Sequence, residues 1–114
     1  MCIRDRTVAQ AYFLNQPVRA TAGGIAGEAY SLVSVDAKNV ILETVKQAED
    51  GDGVIVRLYE CENARTTTKL HWNRPFASVT ECDLQENALT DVPVEGGTFK
   101  FTIKPYEIKT FRIR

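Results

Sequence analysis

Apolar and polar positions alternate with a two-residue period over much of this chain, and a 3.6-residue period is sustained nowhere. The alternation is clearest near the end, where Phe99, Phe101 and Ile103 are interleaved with Lys100, Thr102 and Lys104. One face of that segment is therefore apolar and the other wet. Burying its three large side chains contributes roughly 2 kcal/mol each, which makes it a central part of any core. In the final segment Phe111 and Ile113 share one parity while Ile108 has the other. This predicts either a bulge between Ile108 and Phe111 or burial on both faces.

A second pattern lies at Asn39–Asn63. Val40, Ile41, Leu42 and Val45 form one apolar run, and Val54, Ile55, Val56, Leu58 and Tyr59 form another. Between them Glu49-Asp50-Gly51-Asp52-Gly53 supplies the residue types that reverse a chain, so a β-hairpin is expected. Val40-Ile41-Leu42 and Val54-Ile55-Val56 are apolar on both parities, which predicts cover on both sides and packing against another domain. Further strands are expected at Ala29–Val35, Arg65–Trp72, Ala77–Leu84, Thr98–Lys104 and Tyr106–Arg114, with Gly96-Gly97 and Pro105 as breaks. Seven short strands with frequent turn signals and no convincing helix predict an all-β fold, an antiparallel β-sandwich over residues 29–114.

The segment before it is less regular. Residues 7–28 read as a lead-in or linker, in which Ala9–Leu14 forms a short helix or a strand that ends before Pro17. Gly23, Gly24 and Gly27 mark a loose connection, since no Gly-Lys-Ser/Thr follows to make a phosphate loop. Met1-Cys2-Ile3-Arg4-Asp5-Arg6 can be encoded by ATG-TGT-ATA-AGA-GAC-AGN, which is similar to a transposase adapter used in library preparation. Residues 1–6 are accordingly expected to be a sequencing scar, with the natural protein continuing upstream.

Composition narrows the function classes. At 114 residues the chain is one domain's worth of polypeptide, able to bury roughly 65% of its unfolded surface. A net charge of −1 with no long basic run leaves no electrostatic footprint for nucleic acid. No apolar run approaches the roughly 20 residues of a membrane-spanning helix, so no membrane association is expected. Outside the suspected scar, Cys61 and Cys82 show no disulfide framework, and a cytoplasmic location is expected.

Candidate chemistry is sparse. His71 is the sole histidine, and with two cysteines on separate strands it makes no metal-ligand spacing and no nucleophilic pair. Glu81 and Asp83 would share a strand face about 7 Å apart, a separation compatible with an inverting glycosidase. A solvated strand edge is the blander alternative, because neither an enclosing cleft nor a raised pKa is signalled. Asp50-Gly51-Asp52 resembles the start of a calcium loop, but Val54 takes the next ligand position and no Glu closes the loop. Among Trp72, Tyr59, Tyr30 and Tyr106, Trp72 is the candidate sugar-stacking platform, with core packing as its alternative. No catalytic, cofactor-binding or metal residue is assigned.

Ser31–Asn63, SLVSVDAKNVILETVKQAEDGDGVIVRLYECEN, carries a family pattern: a strand, Asn-Val-x-Leu-Glu-Thr-Val-Lys, Ala-Glu-Asp with a Gly/Asp turn, and a strand closing on Arg-Leu-Tyr-Glu. Glu81–Asn87, Ile103–Phe111 and Ala11–Pro17 extend it in order. The chain thereby resembles the C-terminal region of α-mannosidases of glycoside hydrolase family 38. The resemblance implies a terminal β-sandwich packed in cis against the middle and catalytic domains of the same enzyme. It also implies a parent that hydrolyses α-mannosides with retention, using a zinc ion and an aspartate in the catalytic domain. None of those catalytic motifs occurs here, so the chain is expected to be inactive alone and to need no cofactor of its own. A carbohydrate-binding accessory module and an adhesion-type sandwich are the alternatives.

Overall fold

The computed structural model describes residues 3–24, 27 and 29–114, with residues 3–6 described by their backbone alone. The chain divides into two units, Met1–Tyr30 and Ser31–Arg114. The first contains one helix, α1 (Ile3–Asn15). Its alanine, arginine, glutamine and leucine residues favour helix. The Asn15 side-chain amide donates to the Ala11 carbonyl at 2.8 Å, and the Gln16 N–H donates to Tyr12 O at 2.7 Å. Pro17 then prevents continuation. This resolves Ala9–Leu14 as helix, and that helix also runs back through residues set aside as a scar. The expectation of no convincing helix is corrected here: local propensity alone forms α1, without an amphipathic stripe to betray it.

The second unit holds eight strands: β1 (Val33–Val35), β2 (Val40–Gln47), β3 (Val54–Glu60), β4 (Thr66–Trp72), β5 (Val79–Cys82), β6 (Ala88–Val92), β7 (Thr98–Ile103) and β8 (Ile108–Ile113). They form two antiparallel sheets, β1-β4-β7 and β2-β3-β8-β5-β6, that make a sandwich. The fold is all-β, as the alternation predicts. One strand escapes the sequence pattern. In β6 Ala88, Leu89, Thr90 and Asp91 are exposed, so pairing with β5 alone makes it a strand and no apolar face marks it.

Side chains from both sheets meet in the core. Leu70, Trp72, Phe99, Phe101 and Ile103 come from the small sheet; Val56, Leu58, Val79, Phe111 and Ile113 come from the large one. Phe111 bridges the layers, with its ring 4.9 Å from Phe99 and 5.1 Å from Phe101, centroid to centroid. The tilted, edge-on geometry of such pairs adds to their area burial.

The register decides the question raised by Ile108. Strand β8 pairs with β3 without a shift from Tyr59↔Ile108 to Val54↔Ile113, so the expected bulge does not occur there. The alternative holds for the last four residues of the strand: Thr110, Phe111, Arg112 and Ile113 are all buried. The bulges lie instead at Leu42/Thr44 and Glu81/Cys82.

Candidate functional site

Most of the chemistry-bearing side chains of the sandwich gather on the outer face of the five-stranded sheet and at one of its ends. The β2–β3 turn begins this arrangement. Gly51 and Gly53 have φ of +78° and +93°. At Gly53 an added Cβ would lie 2.6 Å from the Ile113 carbonyl oxygen, so glycine is required there sterically as well as conformationally. The Asp52 N–H donates to Asp50 Oδ1 at 3.0 Å, an Asx-type closure.

Two arginines hold the acidic turn. Arg112 Nη1 donates to Asp50 Oδ2 at 2.7 Å and to the Asp52 carbonyl at 3.1 Å, while its Nη2 reaches Glu86 O at 3.1 Å. Arg114 Nε donates to Asp52 Oδ2 at 2.7 Å. Glu86, in the β5–β6 loop, has Lys46 Nζ 2.6 Å from its Oε1 and accepts the Glu49 N–H at 2.9 Å on its Oε2. Two loops distant in sequence are thus tied together across the β3–β8 pair. Lys46, Ile55 and Arg112 are direct neighbours in the register, and Ile55 is fully buried. Long cationic stems can cover apolar surface while their heads reach polar partners. The two-sided burial predicted for Val54-Ile55-Val56 is therefore met at Ile55 and Val56 within this chain, without a second domain.

A second node lies at the far end of β3. Glu60 is 1% exposed. Its Oε1 accepts the Asn39 side-chain amide at 2.9 Å and the Glu62 N–H at 2.7 Å, and its Oε2 accepts the Tyr106 N–H at 2.9 Å. Burial alone would raise its pKa. The N–H groups of Tyr106, Asn39, Glu62 and Ala64 outweigh burial and hold the carboxyl down at about 2. One carboxylate so fixes the start of β2, the turn after β3 and the β7–β8 turn.

The other displaced carboxylates move the same way. The Arg112 guanidinium lowers Asp50, the Asn87 amide and backbone lower Asp83, and the Lys46 ammonium lowers Glu86. A general acid at neutral pH needs the opposite displacement. Burial pushes the Cys61 and Cys82 thiols up, away from the thiolate that a nucleophile or metal ligand requires. Both cysteines are free.

The residues singled out from sequence do not converge. Glu81 pairs with Lys109 Nζ at 2.6 Å, whereas Asp83 lies beyond β5 and accepts the N–H groups of Gln85 and Asn87, both at 2.9 Å. They share no strand face, because β5 ends at Cys82. His71 is a half-exposed strand residue 2.8 Å from Asp36 Oδ1. Trp72 is 7% exposed and belongs to the core, its edge rimming an open hollow of about 530 Å³ with Leu32, Val45 and Arg74. Tyr30 and Tyr106 are 67% and 58% exposed, and Tyr59 is half-buried. Among the described residues no group of three His, Cys, Asp or Glu is placed to hold a metal ion. Among the described residues no helix is long and apolar enough to cross a membrane.

Glu60 and Arg112 are the residues that sequence reasoning passed over. A signal existed for each. Glu60 shares its parity with Val54, Val56 and Leu58 at the end of a core strand, and Arg112 sits between Phe111 and Ile113. A charge at such a place implies a partner.

This geometry is that of a β-sandwich in which ionisable groups hold loops and strand ends together. Residues 39–111 match the family described as the glycosyl hydrolases family 38 C-terminal beta sandwich domain. The chain belongs to that family. It is 37% identical over 89 residues to Alpha-mannosidase G of Dictyostelium discoideum, a match spanning 72% of this chain and 8% of that protein. It is 31% identical over 107 residues to mouse Alpha-mannosidase 2C1, spanning 88% and 10%. With the human Alpha-mannosidase 2C1 it shares 32% over 113 residues, spanning 92% and 11%. The chain thus spans about a tenth of the length of the curated relatives it matches.

Proposed function

We propose that this chain is the non-catalytic C-terminal sandwich of an α-mannosidase, supporting the catalytic part of the same polypeptide and inactive alone. The observation that carries this reading is the use of its ionisable groups: Asp50, Glu60, Asp83 and Glu86 are held below the usual carboxylate range by structural hydrogen bonds. Membership of the family and the tenfold greater length of the relatives support it further. The parent enzyme is a retaining glycoside hydrolase acting on α-mannosides in the cytoplasm, with its zinc in the catalytic domain. The middle and catalytic domains are the cis partners of this sandwich.

The test is an assay of the purified chain with an aryl α-mannoside, with and without added zinc. No hydrolysis is expected. Turnover that persists through purification and falls on Glu81→Gln would overturn the reading. A carbohydrate-binding role through Trp72 is less well supported, since stacking on a sugar needs an open ring face and this ring is 7% exposed. Titration with methyl α-mannoside, followed by Trp fluorescence, separates the two: saturable binding at millimolar concentration, weakened by Arg74→Ala, would favour the binding module.

A further inference from the structure

The outer face of the five-stranded sheet is ionic at one end and apolar at the other. Ile41, Tyr59 and Ile108 are successive neighbours across β2, β3 and β8. All three point away from the core, because Val40, Leu42, Leu58 and Phe111 take the opposite parity. Ile41 and Tyr59 are half-buried and Ile108 is 52% exposed. Tyr106, in the β7–β8 turn two residues before Ile108, is 58% exposed and has a φ of +55°. That conformation is uncommon for a bulky residue. It is held by the Tyr106 N–H on Glu60 Oε2 at 2.9 Å and the Lys104 N–H on Glu107 Oε2 at 2.7 Å. The aromatic ring is thus presented by a braced turn.

We infer that the Ile41–Tyr59–Ile108 row, with Tyr106, is the seam against which the remainder of the parent enzyme packs. The inference rests on the supporting-domain reading and adds the surface to it. Three observations select this occupant. About nine-tenths of each matched relative lies outside the region this chain covers, so a large partner surface exists in the same polypeptide. The neighbouring ionic groups are already satisfied among themselves, as Arg112 and Lys46 are by Asp50 and Glu86, whereas the apolar row gains from burial. The outer face of the three-stranded sheet offers no comparable surface, being built of Ser34, His71, Thr98, Lys69, Lys100 and Thr102. Tyrosine and isoleucine flanked by satisfied polar groups match the apolar centre and polar rim of a domain interface.

The experiment grafts this chain in place of the matching residues of the full-length human relative and compares three forms: unaltered, Ile108→Lys, and Lys100→Glu on the opposite face. Readouts are α-mannoside hydrolysis and the half-life for thermal inactivation. Ile108→Lys is expected to shorten that half-life at least about tenfold, because a lysine buried without a partner is costly, while Lys100→Glu leaves it unchanged. In the isolated chain Ile108→Lys should leave the melting temperature nearly unchanged, showing that the effect is at the seam. If it also unfolds the isolated chain, Tyr106→Ser on the braced turn serves as the second variant. An unaltered graft without activity would count against the supporting-domain reading itself. An active graft indifferent to Ile108→Lys and Tyr106→Ser, or sensitive to Lys100→Glu alone, would overturn the seam and leave that reading standing.

Discussion

The two outer faces of this sandwich are built by opposite rules. On the three-stranded sheet, Thr67, Lys69 and His71 lie opposite Thr102, Lys100 and Thr98, with a Thr67–Thr102 hydroxyl hydrogen bond of 2.9 Å and His71 2.8 Å from Asp36. Even the direct cross-strand pair Lys69↔Lys100 sets like charges against each other, which a solvated face tolerates. On the five-stranded sheet, Thr80, Thr110 and Arg112 are buried although they face away from the core. There the β2–β3 turn and the β5–β6 loop supply the partners of Arg112, while Thr80 donates to Asp91 on β6 and Thr110 accepts from Arg57 on β3. No buried side-chain nitrogen or oxygen among the described residues lacks a hydrogen bond. The difference shows that a strand face can be closed by its own loops when they carry charges of the right sign.

Four substitutions would break or sharpen that contrast. The largest effect is expected from Phe111→Ala, which removes the ring shared by both layers. A loss of about 3–5 kcal/mol by denaturant unfolding sets the scale against which either face is judged. Glu60→Leu should follow at about 2–4 kcal/mol, since it strands the Asn39 amide and the N–H groups of Glu62 and Tyr106. The same site gives a pH signature. The folded-state pKa of Glu60 is depressed, from 4.5 to about 2, so its stabilisation is complete above 4.5 and is lost as pH falls towards 2. Acid titrations of stability should show that component in the native chain and lose it in Glu60→Gln.

Arg112→Met keeps the apolar stem over Ile55 but removes the guanidinium that ties Asp50, Asp52 and Glu86. A cost of about 1–3 kcal/mol is expected, with hydrogen exchange rising in both loops while the β4–β7 amides stay protected. If the small sheet loosened equally, the two faces would not be independent. The smallest effect belongs to Lys100→Thr on the solvated face, which relieves the Lys69 repulsion and should shift stability by no more than about 0.5 kcal/mol, upward if at all. A large loss there would mean that the polar face carries an interaction of its own.

Much of the fold is legible in the residues because sheet formation leaves a period-two record. Phe99, Phe101 and Ile103 mark a core strand without reference to anything distant, and Asp50-Gly51-Asp52-Gly53 marks a turn by local chemistry. The pattern failed where burial was not the cause of structure. Helix α1 forms from propensity and a closing proline, and β6 forms from pairing alone with its side chains in water. It left Ile108 open between a bulge and two-sided burial, and the structure shows an outward position on a regular strand whose last four residues are buried on both faces.

By itself, then, the sequence determined that this would be an antiparallel sandwich, where its main hairpin turns, and which family it resembles. Those properties rest on neighbours in the chain. Only the tertiary structure decided what the charges do. Asp50 meets Arg112 across 62 residues and Glu60 meets the Tyr106 backbone across 46, and both pairings depend on how β8 is inserted beside β3. A carboxylate carries no record of its partner in its own neighbourhood. The strand order supplies the partner, and with it the burial, the lowered pKa and the structural role.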